Sequence, residues 1–361
     1  TQVSPAATQK MLQAATELWG NPSSLHHVGL AAEKILEEAR GRILSALGIR
    51  VPNSKNLIFC GSGTEANNLA LFGTAHAKTH NRGTRIIVSD REHPSILEPA
   101  KRLQEEGFDL VTIPTQNGML DLDALSRALE KETVLFSCML VNNETGARYA
   151  VEQAFSLAKK RWPNIVTHCD AVQGFLKVKF TPDTLHADMI SISSHKLHGP
   201  KGVGALYVAT PILTSRRLTP YILGGGQENG MRSGTENIPG IAAFGEAVQA
   251  GFQIERATIV RDYLLAHLPA EVTANLPIGE RAPHIVSLLL PGIRSETMLH
   301  FLSASDICVS SGSACASNTG HGSYVLKAFG LTPKQADSTI RISFDDAMTT
   351  DQIDTFLEVL Q

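Results

Sequence analysis

The sequence predicts an α/β protein: a large domain on a mostly parallel seven-stranded sheet, followed by a smaller α+β domain. Three observations carry this. Short runs rich in β-branched residues recur at 56–60, 85–89, 109–113, 133–137 and 164–168. Helical patterns lie between most of them, which is the alternation of βαβ units. Beyond Pro239 the pattern gives way to a different order of elements.

Taken in order, apolar residues at 32, 35, 36, 39, 43, 46 and 47 keep the helical period and mark an amphipathic helix between Gly29 and Leu47. The five strand runs follow. Two more, at 187–193 and 202–208, are separated by residues 194–201, too few for a helical crossover, so they are expected to form an antiparallel hairpin. A long helical stretch from 241 to about 268 is expected to link the domains. The smaller unit is expected to hold strands at 284–290, 307–310 and 339–344, with helices at 296–303, 323–329 and 350–360. On this reading the large domain spans 16–250, and residues 1–15 and 251–361 form the small one.

A formal net charge of −3, with 32 basic and 35 acidic residues and no charge run, lacks the footprint of a nucleic-acid binder. The longest apolar run, at 285–293, is broken by Ser287 and Pro291 and is far shorter than a membrane helix, so no membrane span is expected. The five cysteines, Cys60, Cys138, Cys169, Cys308 and Cys315, include no C-x-x-C pair and make no disulfide framework. A reducing, cytoplasmic setting is expected. No secretory signal opens the chain, although a start at Thr1 without Met leaves room for a removed organellar targeting segment.

Open α/β sheets bind ligands beyond the carboxyl ends of their strands. There, Cys60-Gly-Ser-Gly-Thr64 feeds a strand into a helix and reads either as an anion cradle with the Thr64 hydroxyl or as a helix cap. Lys196 lies in the loop between two apolar strands; it is either a solvated lysine or a desolvated amine that condenses with an aldehyde cofactor. Asp170 closes a strand and is either a helix cap or the partner of a protonated pyridine nitrogen. His93 either caps a helix or stacks on an aromatic ring. No Cys or His pair has zinc-ligand spacing apart from His26-His27 and His195/His198, so no metal site is expected.

These residues belong to a longer ordered series. Gly-Ser-Gly-Thr-Glu at 61–65, Glu92-His93, Val-Asn-Asn-Glu-Thr-Gly at 141–146, His-Cys-Asp-Ala-Val-Gln at 168–173 and Ser-Ser-His-Lys at 193–196 come first. Gly-Pro-Lys-Gly at 199–202, Gly-Gly-Gly-Gln at 224–227, Met-Arg-Ser-Gly-Thr at 231–235, Ser-Ser-Gly-Ser-Ala-Cys at 310–315 and Arg-Ile-Ser at 341–343 complete it. In this order the series resembles pyridoxal-phosphate-dependent cysteine desulfurases of the NifS/IscS type, within the class V aminotransferase superfamily and fold-type I. The resemblance covers nearly the whole chain.

It implies that Lys196 holds pyridoxal 5'-phosphate, Asp170 pairs with the pyridinium nitrogen, His93 stacks on the ring and Gln173 bonds its phenolic oxygen. Gly63 belongs to the cofactor cradle, in which Thr64, Ser193 and His195 bind the phosphate, joined by Thr235 of the neighbouring subunit of a homodimer. Arg341 grips the carboxylate of the substrate L-cysteine, with Asn143 beside it.

Cys315 sits among Ser, Gly and Ala, unlike the other four cysteines, which read as buried in or beside apolar strands. The resemblance makes Lys196 the base at the substrate Cα, Cys315 the thiolate that takes the sulfur as a persulfide, and His93 a proton donor or acceptor. The product is alanine. The pattern at 310–315 resembles the long-loop group, which passes its sulfur to an acceptor or iron–sulfur scaffold protein, for iron–sulfur cluster assembly or thiolation. The alternative on the same fold is a cystine or selenocysteine lyase. Two departures stand out: the usual opening strand with its Asp-Asn-Ala-Ala-Thr-like motif is absent, and the tail after Arg341 is shorter than in scaffold-docking members.

Overall fold

A computed structural model describes residues 1–49, 53–77, 83–312 and 323–360. The chain falls into two compact units, Thr1–Ile113 with Leu122–Leu140 and Val151–Gly251, and Pro114–Asp121 with Val141–Ala150 and Phe252–Gln361. The first fifteen residues, expected in the small domain, lie in the first unit: Ala7 packs with Ala243 and Ala247, small side chains that let two helices close on each other. The second unit also takes in two short segments, 114–121 and 141–150, which fall within the expected large domain at 16–250.

The strands in chain order are β1 (Leu57–Cys60), β2 (Arg85–Ser89), β3 (Asp109–Ile113), β4 (Thr115–Gln116), β5 (Met119–Leu120), β6 (Thr133–Met139) and β7 (Val166–Asp170). They continue with β8 (Met189–Ser193), β9 (Gly204–Val208), β10 (Thr273–Ala274), β11 (Ile285–Leu289), β12 (Ser310–Ser311) and β13 (Thr339–Ser343). The first unit is built on seven strands in the order β1-β9-β8-β7-β6-β2-β3. Pairs β2/β3, β2/β6, β6/β7 and β7/β8 are parallel, and β9 runs antiparallel to both of its neighbours. The expected hairpin is therefore present, with Met189 opposite Val208 and Ser193 opposite Gly204. Central strands covered on both faces are buried at every position, whereas the edge strand β3 keeps Asp109 and Thr112 exposed.

The helices used below are α1 (Pro5–Thr16), α2 (His27–Ala46), α3 (Gly63–Ala75), α4 (Pro94–Glu105), α5 (Ile238–Ala250) and α6 (Ile254–Ala266). Helix α2 buries Ala32, Ile35, Leu36, Ala39 and Ile43 of the predicted stripe together with Leu44, which the stripe did not include, while Ala46 is only partly buried. It crosses α5 closely, since a Cβ on Gly245 would lie 2.8 Å from the Ala39 Cα. Helix α3 buries ten consecutive or near-consecutive residues from Gly63 to Ala75 and joins Ile58, Val88, Leu135 and Leu206 in the main core. The expected helix over 241–268 is two helices, α5 and α6. Gly251, at φ +75°, adopts a backbone that a side chain disfavours, and the chain passes there from one unit to the other.

The second unit holds a four-stranded antiparallel sheet in the order β10-β11-β13-β12, with a core of Val286, Leu288, Leu302, Ile340, Ile342 and Phe356. The strand expected at 307–310 reduces to β12, which pairs Ser310 with Arg341 and Ser311 with Ile340. Cys308 therefore precedes the strand and is exposed, contrary to the structural, buried reading, whereas Cys60, Cys138 and Cys169 are buried thiols in strands. Among the described residues no helix is long and apolar enough to cross a membrane.

Candidate active site

The turn after β1 is shaped by two small residues. Ser62 caps α3 through Oγ, which accepts from the Glu65 N–H at 3.1 Å. The Thr64 hydroxyl is not the cap, and Thr64 is exposed on the first turn. At Gly63 a Cβ would sit 2.7 Å from Val172 Cγ2 and 3.2 Å from Ser193 Cβ, so the helix start abuts the ends of β7 and β8 only because the side chain is absent. A helix start of this kind, through its dipole and first-turn N–H groups, favours an anion. Ser193 is buried, with its hydroxyl 2.9 Å from His195 Nδ1. Burial, then the charges of Lys196, the N-terminus, Lys201 and Lys177, pushes the His195 ring down to about 4, so it is neutral at physiological pH.

Thr235 is exposed on the wall of a recess shared with Gly61, Gly202, Val203 and Arg232. Arg232 ties that segment to the cradle: its Nε donates to Glu65 Oε1 at 2.8 Å, while Glu65 Oε2 accepts from the Gly61 N–H at 2.9 Å. Neither Glu65 nor Arg232 was singled out in the sequence.

Asp170 ends β7, 5% exposed, and both of its oxygens are used. Oδ1 accepts from the Val172 N–H at 2.9 Å, which closes the turn carrying Gln173, and Oδ2 accepts from Asn67 Nδ2 at 2.7 Å. His93 is the cap of α4, with Nδ1 accepting from the Ser95 N–H at 3.1 Å and 2.8 Å from Ser95 Oγ. The capping reading of His93 is thus realised, and the ring still stands near the fields of Asp170 and Lys196. Burial lowers its basicity, Asp170 opposes that shift and Lys196 adds to it. Lys196 is half-buried at the end of the turn Ser194–Lys196 that leaves β8. Asn67 and Ser95 were missed by sequence reading; only the Asn-Asn at 67–68 on an otherwise apolar helix signals them.

In the second unit Arg341 stands on β13 between Ser287 and Ser310, small neighbours that leave the guanidinium room. Its Nη1 donates to the Asn143 carbonyl at 2.9 Å and its Nη2 to Ser310 Oγ at 3.1 Å, so the predicted pair Arg341 and Asn143 meets. The turn holding Asn143 is fixed by Asn142 Oδ1, which accepts from the Glu144 and Thr145 N–H groups, and by Gly146 at φ +73°. Glu144 was not singled out. Its carboxylate accepts from Ser323 Oγ at 2.5 Å; burial pushes it up to about 7, against the pull of Ser323 and Arg341. Cys315 lies outside the described residues.

The donors in the first unit fit pyridoxal phosphate. The cradle at Gly63 is one that a Cβ would fill, hydroxyls of Thr64 and Ser193 suit a phosphate, and the buried Asp170 carboxylate suits a protonated ring nitrogen.

The chain is similar to several known proteins. The family model for Aminotransferase class-V matches residues 1–356. The chain is 37% identical over 354 residues to Cysteine desulfurase IscS of Dictyoglomus turgidum, covering 96% of this chain and 87% of that one. A solved NifS-like protein superposes with a TM-score of 0.90 at 31% identity, covering 100% of this chain and 95% of that chain. A structure described as SspA in complex with cysteine gives a TM-score of 0.84 at 30% identity, with 96% of each chain covered.

Proposed function

This chain belongs to the class-V aminotransferase family, and from that premise we infer that it is a pyridoxal-phosphate-dependent cysteine desulfurase of the NifS/IscS type, converting L-cysteine to L-alanine. The observation that carries this reading is the Asp170 carboxylate, buried at the end of β7 and held by Asn67 and the Val172 N–H in the same unit as Lys196 and the Gly63 cradle. Cysteine bound to the similar SspA supports the substrate.

Lys196, Asp170, His93, Gln173, Gly63, Thr64, Ser193 and His195 would hold the cofactor, with Thr235 serving the neighbouring subunit of a homodimer. When bound, it supplies an electron sink for the bonds broken at the substrate Cα and Cβ. Arg341, with Asn143, binds the substrate carboxylate bidentately, giving up its bonds to the Asn143 carbonyl and Ser310. The Lys196 amine takes the Cα proton. The Cys315 thiolate attacks the substrate sulfur: an S–S bond forms, the Cβ–S bond breaks, and its electron pair stays on the carbon skeleton, which is protonated to alanine. His93 donates or accepts a proton at this stage. The persulfide sulfur passes to an acceptor or iron–sulfur scaffold protein. A cytoplasmic setting, which keeps such a thiol reduced, accords with the free Cys60, Cys138, Cys169 and Cys308.

The test is turnover by the purified protein loaded with cofactor. Cysteine yields alanine and, with a reductant, sulfide in equal amounts; borohydride fixes the cofactor on the Lys196 peptide. Cys315→Ala keeps the cofactor and forms no persulfide. Undiminished sulfide from that variant, or turnover of cystine or selenocysteine in preference to cysteine, makes the enzyme a lyase instead.

A further inference from the structure

Four side chains from three elements form one hydrogen-bonded row, buried at Asp170, Asn67 and Ser95 and half-buried at His93: Asp170 of β7, Asn67 of α3, and Ser95 and His93 at the start of α4. Asn67 is 1% exposed and Ser95 7%. Asn67 Nδ2 lies 2.7 Å from Asp170 Oδ2 and 2.8 Å from Ser95 Oγ, so its two hydrogens serve two acceptors. A flipped amide would set Asn67 Oδ1 against the carboxylate, and that repulsion decides the orientation. Because the Ser95 N–H already donates to His93 Nδ1, that nitrogen is an acceptor, and the Ser95 hydroxyl, itself accepting from Asn67, turns its own hydrogen to it, 2.8 Å away. The Ser95 N–H meets the same nitrogen at 3.1 Å. Two donors on one ring nitrogen require that nitrogen to be unprotonated.

We propose that Asn67 and Ser95 are positioning residues that hold His93 as its Nε2–H tautomer and fix its ring relative to Asp170. This deepens the desulfurase reading and, for its effect on turnover, rests on it. A ring held this way gives and regains its proton at one atom, Nε2. Protonating Nδ1 would turn the Ser95 hydroxyl away from its donor role and leave the Ser95 N–H facing another N–H. The charged groups facing the ring are Asp170, which favours the imidazolium, and Lys196, which opposes it.

The experiment is ring-nitrogen NMR on holoenzyme labelled at histidine, with His93→Gln assigning the signals, alongside steady-state kinetics on cysteine. The wild type shows the Nε2–H tautomer. In Ser95→Ala, which removes the hydroxyl donor and leaves only the backbone N–H of residue 95 on Nδ1, the Nδ1–H tautomer becomes detectable beside the Nε2–H form, the ring titrates at higher pH, and kcat falls about tenfold with KM within about twofold. Ser95→Thr restores the wild-type tautomer. In a His93→Gln background Ser95→Ala changes kcat less than about twofold, because Ser95 acts through the ring. An unchanged tautomer and titration in Ser95→Ala, or an equal loss of kcat in both backgrounds, overturns the proposal. A wild-type protein that makes no alanine from cysteine overturns the desulfurase reading, while the tautomer measurement still decides what Ser95 does.

Discussion

Arg40 and Glu228, 188 residues apart, form a bidentate ion pair with side chains 4% and 2% exposed, each contact 2.9 Å. Arg40 also donates to the Leu57 carbonyl and lies 4.8 Å over the Phe59 ring, while Glu228 accepts from the Phe59 N–H at 2.8 Å. Glu228 and Asn229 have φ of 50° and 55°, so the pair holds a backbone that would otherwise relax. That segment leads into Arg232 and Thr235. Arg40→Met is expected to cost about 3–5 kcal/mol, because Glu228 is left buried and unpaired. Urea unfolding measures it, and the double variant with Glu228→Gln recovers part of the loss. A cost below about 1 kcal/mol shows that the pair does not anchor the segment.

Gly63→Ala is expected to weaken cofactor binding with little effect on the fold. The new methyl would have to displace Val172 Cγ2 at 2.7 Å and Ser193 at 3.2 Å, and relieving such contacts costs about 1–3 kcal/mol. If the cost falls on the cradle, cofactor affinity drops about tenfold or more, read by the visible absorbance on titration with pyridoxal phosphate. Equal affinity with lowered thermal stability means that Gly63 serves helix packing instead.

Glu144 makes stability depend on pH. Its folded value, about 7, lies above the ordinary 4.5, so between those pH values the folded chain keeps a proton that the unfolded chain releases. The sign follows: stability is lost as pH rises from about 4.5 to about 7 and is not regained above it. Glu144→Gln, which mimics the protonated side chain, is expected to match wild type near pH 4.5 and to be more stable at pH 8 by up to about 3 kcal/mol. Glu92, buried and raised to about 8, titrates in an overlapping window, so only the difference between variant and wild type isolates Glu144. Denaturant unfolding at the two pH values checks it; an equal difference at both removes the titration argument.

Much of the architecture was legible because its causes are local. The seven apolar runs became seven strands, since strands covered on both faces, as all but the edge strand β3 are, carry apolar and β-branched residues without alternation, and the loop at 194–201 was too short for anything but a hairpin. The exceptions are local failures of the same rule. The run at 241–268 reads as one helix until Gly251 adopts a positive φ, and Cys308 lies among apolar residues that form no ladder. Gly63, Asp170, His93, Lys196 and Arg341 were visible as residue types at strand ends and turns; Glu65, Glu144 and Arg232 lie inside the ordered motifs with no role legible there, and Asn67 and Ser95 lie outside them.

The sequence by itself determined the fold class, the strand-end turns and the family, since periodicity, turn chemistry and ordered motifs belong to neighbours along the chain. Only the tertiary structure decided how the functional side chains are held: Asn67 on Asp170 across 103 positions, Arg40 on Glu228 across 188 and Ser323 on Glu144 across 179. The physical reason is common to all three. A polar group buried by folding must find a partner, and which partner it finds is set by the strand ends and helix starts that packing brings together, not by any pattern within reach of its own position.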